Sequence, residues 1–103
     1  MPSCITCSMP FVGNHANDIA LETPDGPVCV HDSKNGVIKS GPEIFEGGVQ
    51  FFLSSVADGD RGLAERLTRK NMKGLAYWQA HPFAELAGEV STDKEFGEAM
   101  GKL

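Results

Sequence analysis

Two short cysteine turns limit what this chain can fold into. Cys4-Ile5-Thr6-Cys7 is a complete CxxC turn. Cys29-Val30-His31-Asp32 has the same spacing, with an aspartate where a second cysteine would close the motif. A two-residue gap lets both side chains of a tight turn face one point, so two such turns can present ligands to one tetrahedral metal ion. The stretch between them is slightly longer than is usual for such a pair, and a loop can absorb the excess. The pattern predicts a small domain stapled by a metal.

Size makes the staple necessary. The chain has 103 residues, enough for one domain or for a small module with an extension. Residues 1–40 hold only scattered apolar side chains, among them Ile5, Phe11, Ile19, Leu21, Val28 and Ile38. They cannot bury a self-sufficient core. A structural zinc contributes on the order of 10 kcal/mol or more to a fold of that size. Zinc, one per chain, is the cofactor the pattern implies.

Charge and cysteine usage narrow the class. The formal net charge is −5 with a pI near 5.0, which argues against general nucleic-acid binding, a process driven by Lys and Arg neutralising phosphates. No apolar run approaches the ~20 residues of a membrane span. A basic segment followed by an apolar one is missing at the N-terminus, so no secretory signal is expected. Three cysteines are an odd count that suits reduced thiolates in the cytoplasm better than a disulfide framework.

Residues 1–40 are rich in Pro, Gly, Asn and Asp and read as turns and short strands. Glu22-Thr23-Pro24-Asp25-Gly26-Pro27 is a turn. Val28-Cys29-Val30-His31 is a short alternating strand leading into the second cysteine turn. Asn35-Gly36 is a favoured hairpin pair, and Val37-Ile38-Lys39 is the returning strand. Strand, metal turn, Asn-Gly turn and strand together are the layout of a zinc-ribbon hairpin. Met9-Pro10-Phe11 forms its hydrophobic floor.

The character of the chain changes at Ser40-Gly41-Pro42-Glu43, where capping-box spacing and an early proline open a helix. That helix is predicted over 42–56, with an apolar stripe of Ile44, Phe45, Phe51, Phe52 and Val56. Gly47-Gly48 inside it marks either local weakness or the close approach of another backbone. A turn at Asp58-Gly59-Asp60 leads to a second helix over 61–76, antiparallel to the first. Leu63, Ala64, Leu67, Met72 and Leu75 share one face of it. Arg66, Arg69, Lys70 and Lys73 share the opposite face, read as solvated or as a patch for an acidic partner. A short helical piece over 82–87 and a last helix from the Thr92-Asp93-Lys94-Glu95 box to about Gly101 complete the chain.

Cys4-Ile5-Thr6-Cys7-Ser8-Met9-Pro10-Phe11 resembles the opening of small prokaryotic zinc-ribbon proteins of uncharacterised function, whose pattern begins CxxCGMP. In that pattern a second Cys-x-x-Cys is followed by an Asn-Gly or Asp-Gly turn, a short Leu-Lys-Ser strand end and a helix of the EEVLEGM kind, and Gly36 through Gly47 is similar to the stretch after the cysteines. A later Arg-x-x-Ala-Glu helix ending near a tryptophan is similar to Arg61 through Trp78. The resemblance covers residues 3–78. It departs at Ser8, where glycine is common, and at Asp32, where a fourth cysteine is expected. It implies a zinc-ribbon fold and metal ligands, and no activity.

Cys4, Cys7 and Cys29 are the candidate thiolate ligands. Asp32 is the first choice for the fourth, since it holds the correct turn position and carboxylate oxygen is a legitimate zinc ligand. His31 is a better intrinsic partner in a less suitable spacing, His15 could fold back from its loop, and water could complete the shell. The alternative is a metal-free hairpin packed by Ile5, Phe11, Val30 and Ile38. No general base is arranged with these residues in a recognisable motif, and the CxxC pair opens no helix as a thioredoxin-like pair would. An enzyme is not expected. His81 reads as a loop residue, and Trp78 with Tyr77 and Phe83 as core.

The chain therefore reads as α+β: a zinc-ribbon-like β module over 1–40, and a helical part over 41–103 packed on it. The function expected is that of a zinc-binding structural or interaction protein with a protein partner and possible homodimer formation. The rival functions are a nucleic-acid-associated or regulatory ribbon using Arg66, Arg69, Lys70 and Lys73, and a metal or redox sensor with an incomplete three-cysteine site.

Overall fold

A computed structural model describes residues 2–103. It is an α+β arrangement of two small antiparallel hairpins followed by helices. The first hairpin pairs β1 (Ile19–Thr23) with β2 (Gly26–Cys29). Its turn is closed by Thr23, whose hydroxyl donates to the Gly26 carbonyl at 2.8 Å and accepts from the Asp25 N–H at 3.2 Å. The second pairs β3 (Ser33–Lys34) with β4 (Val37–Ile38). Asn35 and Gly36 both take positive φ there, 53° and 79°, as a tight hairpin turn of this length requires.

The hairpins differ from the layout read in the sequence. The segment before the second cysteine turn pairs backwards with β1 rather than forward across Asn35-Gly36. The strand stops at Cys29, and Val30 is 45% exposed and lies outside the hydrophobic clusters.

The helices follow their caps closely. Helix α1 (Gly41–Ser55) opens on the Ser40/Glu43 capping box. Helix α2 (Arg61–Lys73) is capped by the Asp60 side chain, which accepts from the Leu63 N–H at 3.1 Å. The expected continuation to residue 76 breaks at Gly74, and Leu75 is extended. Helix α3 (Ala76–Ala80) then restarts in a new direction. A 3-10 turn over Ala84–Leu86 precedes helix α4 (Asp93–Gly101), which opens on the Thr92/Glu95 box. No helix among the described residues is long and apolar enough to cross a membrane.

Two hydrophobic clusters lie on either side of Ser40 and meet at Ile38. The smaller is built from Cys4, Phe11, Val28 and Cys29. The larger joins α1, α2, Trp78, Leu86 and Ala99. On α1 the buried stripe is Ile44, Phe45, Val49 and Phe52, whereas Phe51 is 52% exposed, contrary to its expected place in the stripe. Gly48 explains the glycine pair: a β-carbon there would sit 2.8 Å from the Thr68 methyl, while Gly47 faces open space. The close neighbour is a side chain of α2 rather than a backbone.

Candidate metal centre

The first cysteine turn is a closed loop. The Ser8 N–H donates to the Cys4 carbonyl at 2.8 Å and the Cys4 N–H to the Met9 carbonyl at 2.9 Å. Closing it puts Ser8 at φ 66°, the left-handed region that glycine adopts most readily. The second turn grows out of β2. The Asp32 N–H and the Ser33 hydroxyl both donate to the Cys29 carbonyl, at 3.2 and 3.1 Å. The Lys39 N–H then ties the Asp32 carbonyl to the end of the second hairpin at 2.8 Å.

Backbone donors help to join the turns. The Ile5 N–H donates to the Pro27 carbonyl at 3.0 Å, and the Cys29 N–H donates to the Cys4 sulfur at 3.3 Å. The result is that ligand atoms of Cys4, Cys7, Cys29 and Asp32 all lie within 4.8 Å of one another. The Cys7 and Cys29 sulfurs are 3.7 Å apart, and the Cys4 sulfur is 3.6 Å from Asp32 Oδ2. A zinc–sulfur bond of about 2.3 Å sets two sulfurs of a tetrahedron about 3.8 Å apart. The four residues therefore fit a metal ion and could hold one.

The electrostatics point the same way. Cys4 and Cys29 are buried and Asp32 is only 6% exposed. Among the described residues no Lys, Arg or His side chain pairs with Asp32. A buried carboxylate without a counter-charge is costly. Burial pushes its pKa up, and the hydrogen bond from the Thr6 hydroxyl only partly offsets this. The Cys29 and Cys7 thiols turned toward Cys4 hold that sulfur well below the ordinary thiol range. The same contacts, with burial, raise Cys7 and Cys29. One thiolate is favoured and the next two resist, because their thiols hydrogen-bond a neighbouring sulfur and burial disfavours further charge. A divalent ion inverts that balance and deprotonates coordinating thiols.

Comparison with protein-family models, with curated proteins and with solved structures returned no match.

His31 and His15, the alternative fourth ligands, lie outside the cluster. His31 is exposed on the second turn, and His15 Nδ1 is 2.9 Å from Asp18 Oδ2 on the surface. The basic residues of α2 do not form the free face read in the sequence. Arg66 reaches Glu95 at 3.3 Å, and Lys70 reaches Asp93 at 2.7 Å. Arg69 donates to the Glu85 and Glu89 carbonyls at 2.8 and 3.3 Å and lies over the Phe45 ring. These three hold the chain's own C-terminal segment, Arg66 and Lys70 through its acidic side chains and Arg69 through its backbone carbonyls. Lys73 alone of the four is exposed, and the other three are half-buried.

Several residues that serve the centre escaped the sequence reading. Trp78 Nε1 donates to the Thr6 carbonyl at 2.9 Å. Asn71 Nδ2 donates to the Cys7 carbonyl at 3.0 Å, and the Ser8 hydroxyl donates to Asn71 Oδ1 at 2.8 Å. The helical part thus grips the first cysteine turn by two successive carbonyls. Nothing local marks these residues, since each partner is more than sixty positions away. The polar Thr6 between two ligands was the single hint.

Proposed function

We propose that this protein is a zinc-binding structural and interaction module, in which Cys4, Cys7, Cys29 and Asp32 hold one zinc that staples the β part to the helices. The observation that carries the reading is the convergence, within 4.8 Å, of three sulfurs and a buried carboxylate that has no cationic side-chain partner among the described residues. The resemblance to small prokaryotic zinc-ribbon proteins supports the choice of zinc. Three thiolates and a carboxylate make a closed shell, which favours a structural over a catalytic role. The odd cysteine count supports a reducing compartment such as the cytoplasm. The surface available to a protein partner or a second copy includes the half-exposed Phe51. The nucleic-acid rival loses support because Arg66, Arg69 and Lys70 are already engaged.

The test is elemental analysis of untagged protein beside Asp32→Ala and His31→Ala variants. The expected result is about one zinc per chain, kept in His31→Ala and made labile to chelators in Asp32→Ala. Metal loss confined to His31→Ala would move the fourth ligand. Metal-free protein that still melts cooperatively would end the reading.

A further inference from the structure

Thr6 is fully buried at 0% exposure, an uncommon setting for a hydroxyl. It sits between two candidate ligands. Its Oγ1 is 2.6 Å from Asp32 Oδ2 and 3.1 Å from the Cys4 sulfur. A hydroxyl has one proton to give. The 2.6 Å separation falls in the range of a charge-assisted O–H···O⁻ bond of about 2.5–2.7 Å, so the proton goes to Asp32.

This has a consequence for a three-cysteine site. A carboxylate is a weaker and more adaptable zinc ligand than a thiolate, with two oxygens that can exchange roles. The Thr6 hydroxyl occupies a lone pair of Oδ2 and fixes the carboxylate's orientation. The Thr6 backbone is itself held from the far side by the Trp78 indole, at 2.9 Å from its carbonyl. The hydroxyl is therefore a fixed donor, anchored to the helical part.

We propose that Thr6 is the positioning residue that makes Asp32 a competent fourth ligand. It does so by donating its hydroxyl to the carboxylate, and it is what lets the site work without a fourth cysteine. The proposal rests on the metal-centre reading above and deepens it. Partners of this kind, one step removed from the metal, typically change affinity by about 10–100-fold when removed.

The test is a zinc titration of the full chain against a chromophoric chelator, for wild type, Thr6→Val and Thr6→Ser. Thr6→Val keeps the shape and loses the hydroxyl, and zinc affinity is expected to fall by about 10–100-fold. Thr6→Ser is expected to restore binding to within a few-fold. In an Asp32→Ala background the added Thr6→Val change is expected to have no further effect. Equal affinity of Thr6→Val and wild type overturns the proposal. So does a loss in Thr6→Ser as large as that in Thr6→Val, which would implicate packing of the methyl group. An undiminished Thr6→Val effect without Asp32 overturns it as well, by assigning the hydroxyl to Cys4. Should Thr6→Val not fold, NMR of the zinc-loaded wild type decides. An exchange-protected Thr6 hydroxyl proton is expected, and its absence overturns the proposal. A wild type that takes up no zinc overturns the metal-centre reading in the first titration, before any variant is compared.

Discussion

Position by position, the glycines of α1 show how neighbours decide the value of a residue. Gly47 and Gly48 have the same propensity and the same local sequence. A side chain at 47 meets nothing, and one at 48 meets the Thr68 methyl at 2.8 Å. Thr68 cannot easily yield, because it is buried and its hydroxyl donates to the Ala64 carbonyl at 2.7 Å. Gly47→Ala is expected to stabilise by up to about 1 kcal/mol through helix propensity. Gly48→Ala is expected to destabilise by about 1–3 kcal/mol through overpacking. Denaturant titration of the two variants checks this, and shifts of the same sign would contradict the packing. Ser8 carries a related lesson. The glycine expected there by resemblance suits the positive φ, while serine adds a hydrogen bond to Asn71 that glycine cannot make.

Among the elements, the C-terminal segment and α2 depend on each other. Arg69 makes two backbone hydrogen bonds and a cation–π contact, and Gly88 leaves room for its guanidinium. Lys70 pairs with an Asp93 side chain that is 97% exposed. Exposed ion pairs are worth about 0–1 kcal/mol, whereas a residue that satisfies backbone carbonyls and covers an aromatic ring contributes more. Arg69→Ala is expected to cost about 1–3 kcal/mol and to speed amide exchange over 84–103. Lys70→Ala is expected to stay within about 0.5 kcal/mol with exchange unchanged. Equal effects of the two variants would mean that the segment docks by net charge alone. The boundaries of α1, α2 and α4 were legible because each begins at a capping side chain within three residues of its partner. The end of α2 was not, since Gly74 breaks the helix only together with the turn that delivers Trp78 to the cysteine loop.

For the molecule as a whole, the centre and the helices are joined at Thr6, Cys7 and Ser8 by Trp78 and Asn71. Removing a metal bound at Cys4, Cys7, Cys29 and Asp32 should therefore be felt on both sides of Ser40. Chelation at neutral pH is expected to lower the melting temperature and to change Trp78 fluorescence as its indole loses a fixed partner. Acidification is expected to do the same, because protons compete with metal for the thiolates and the carboxylate. Chelation that leaves the fluorescence and the melt untouched would show the two parts to be independent. The sequence by itself determined the starts of α1, α2 and α4, the Asn35-Gly36 turn and the candidate ligands Cys4, Cys7 and Cys29, with Asp32, His31 and His15 as candidates for the fourth. These rest on contacts a few residues apart, or on a spacing that only a tight turn satisfies. Tertiary structure alone decided that β2 pairs with β1, that Asp32 rather than a histidine joins the sulfurs, and that Arg66, Arg69 and Lys70 of α2 are spent on the chain's own tail. It also decided that Thr6, Asn71 and Trp78 belong to the centre. Those outcomes depend on which distant groups are left to satisfy a buried carbonyl or charge, and no local pattern encodes that.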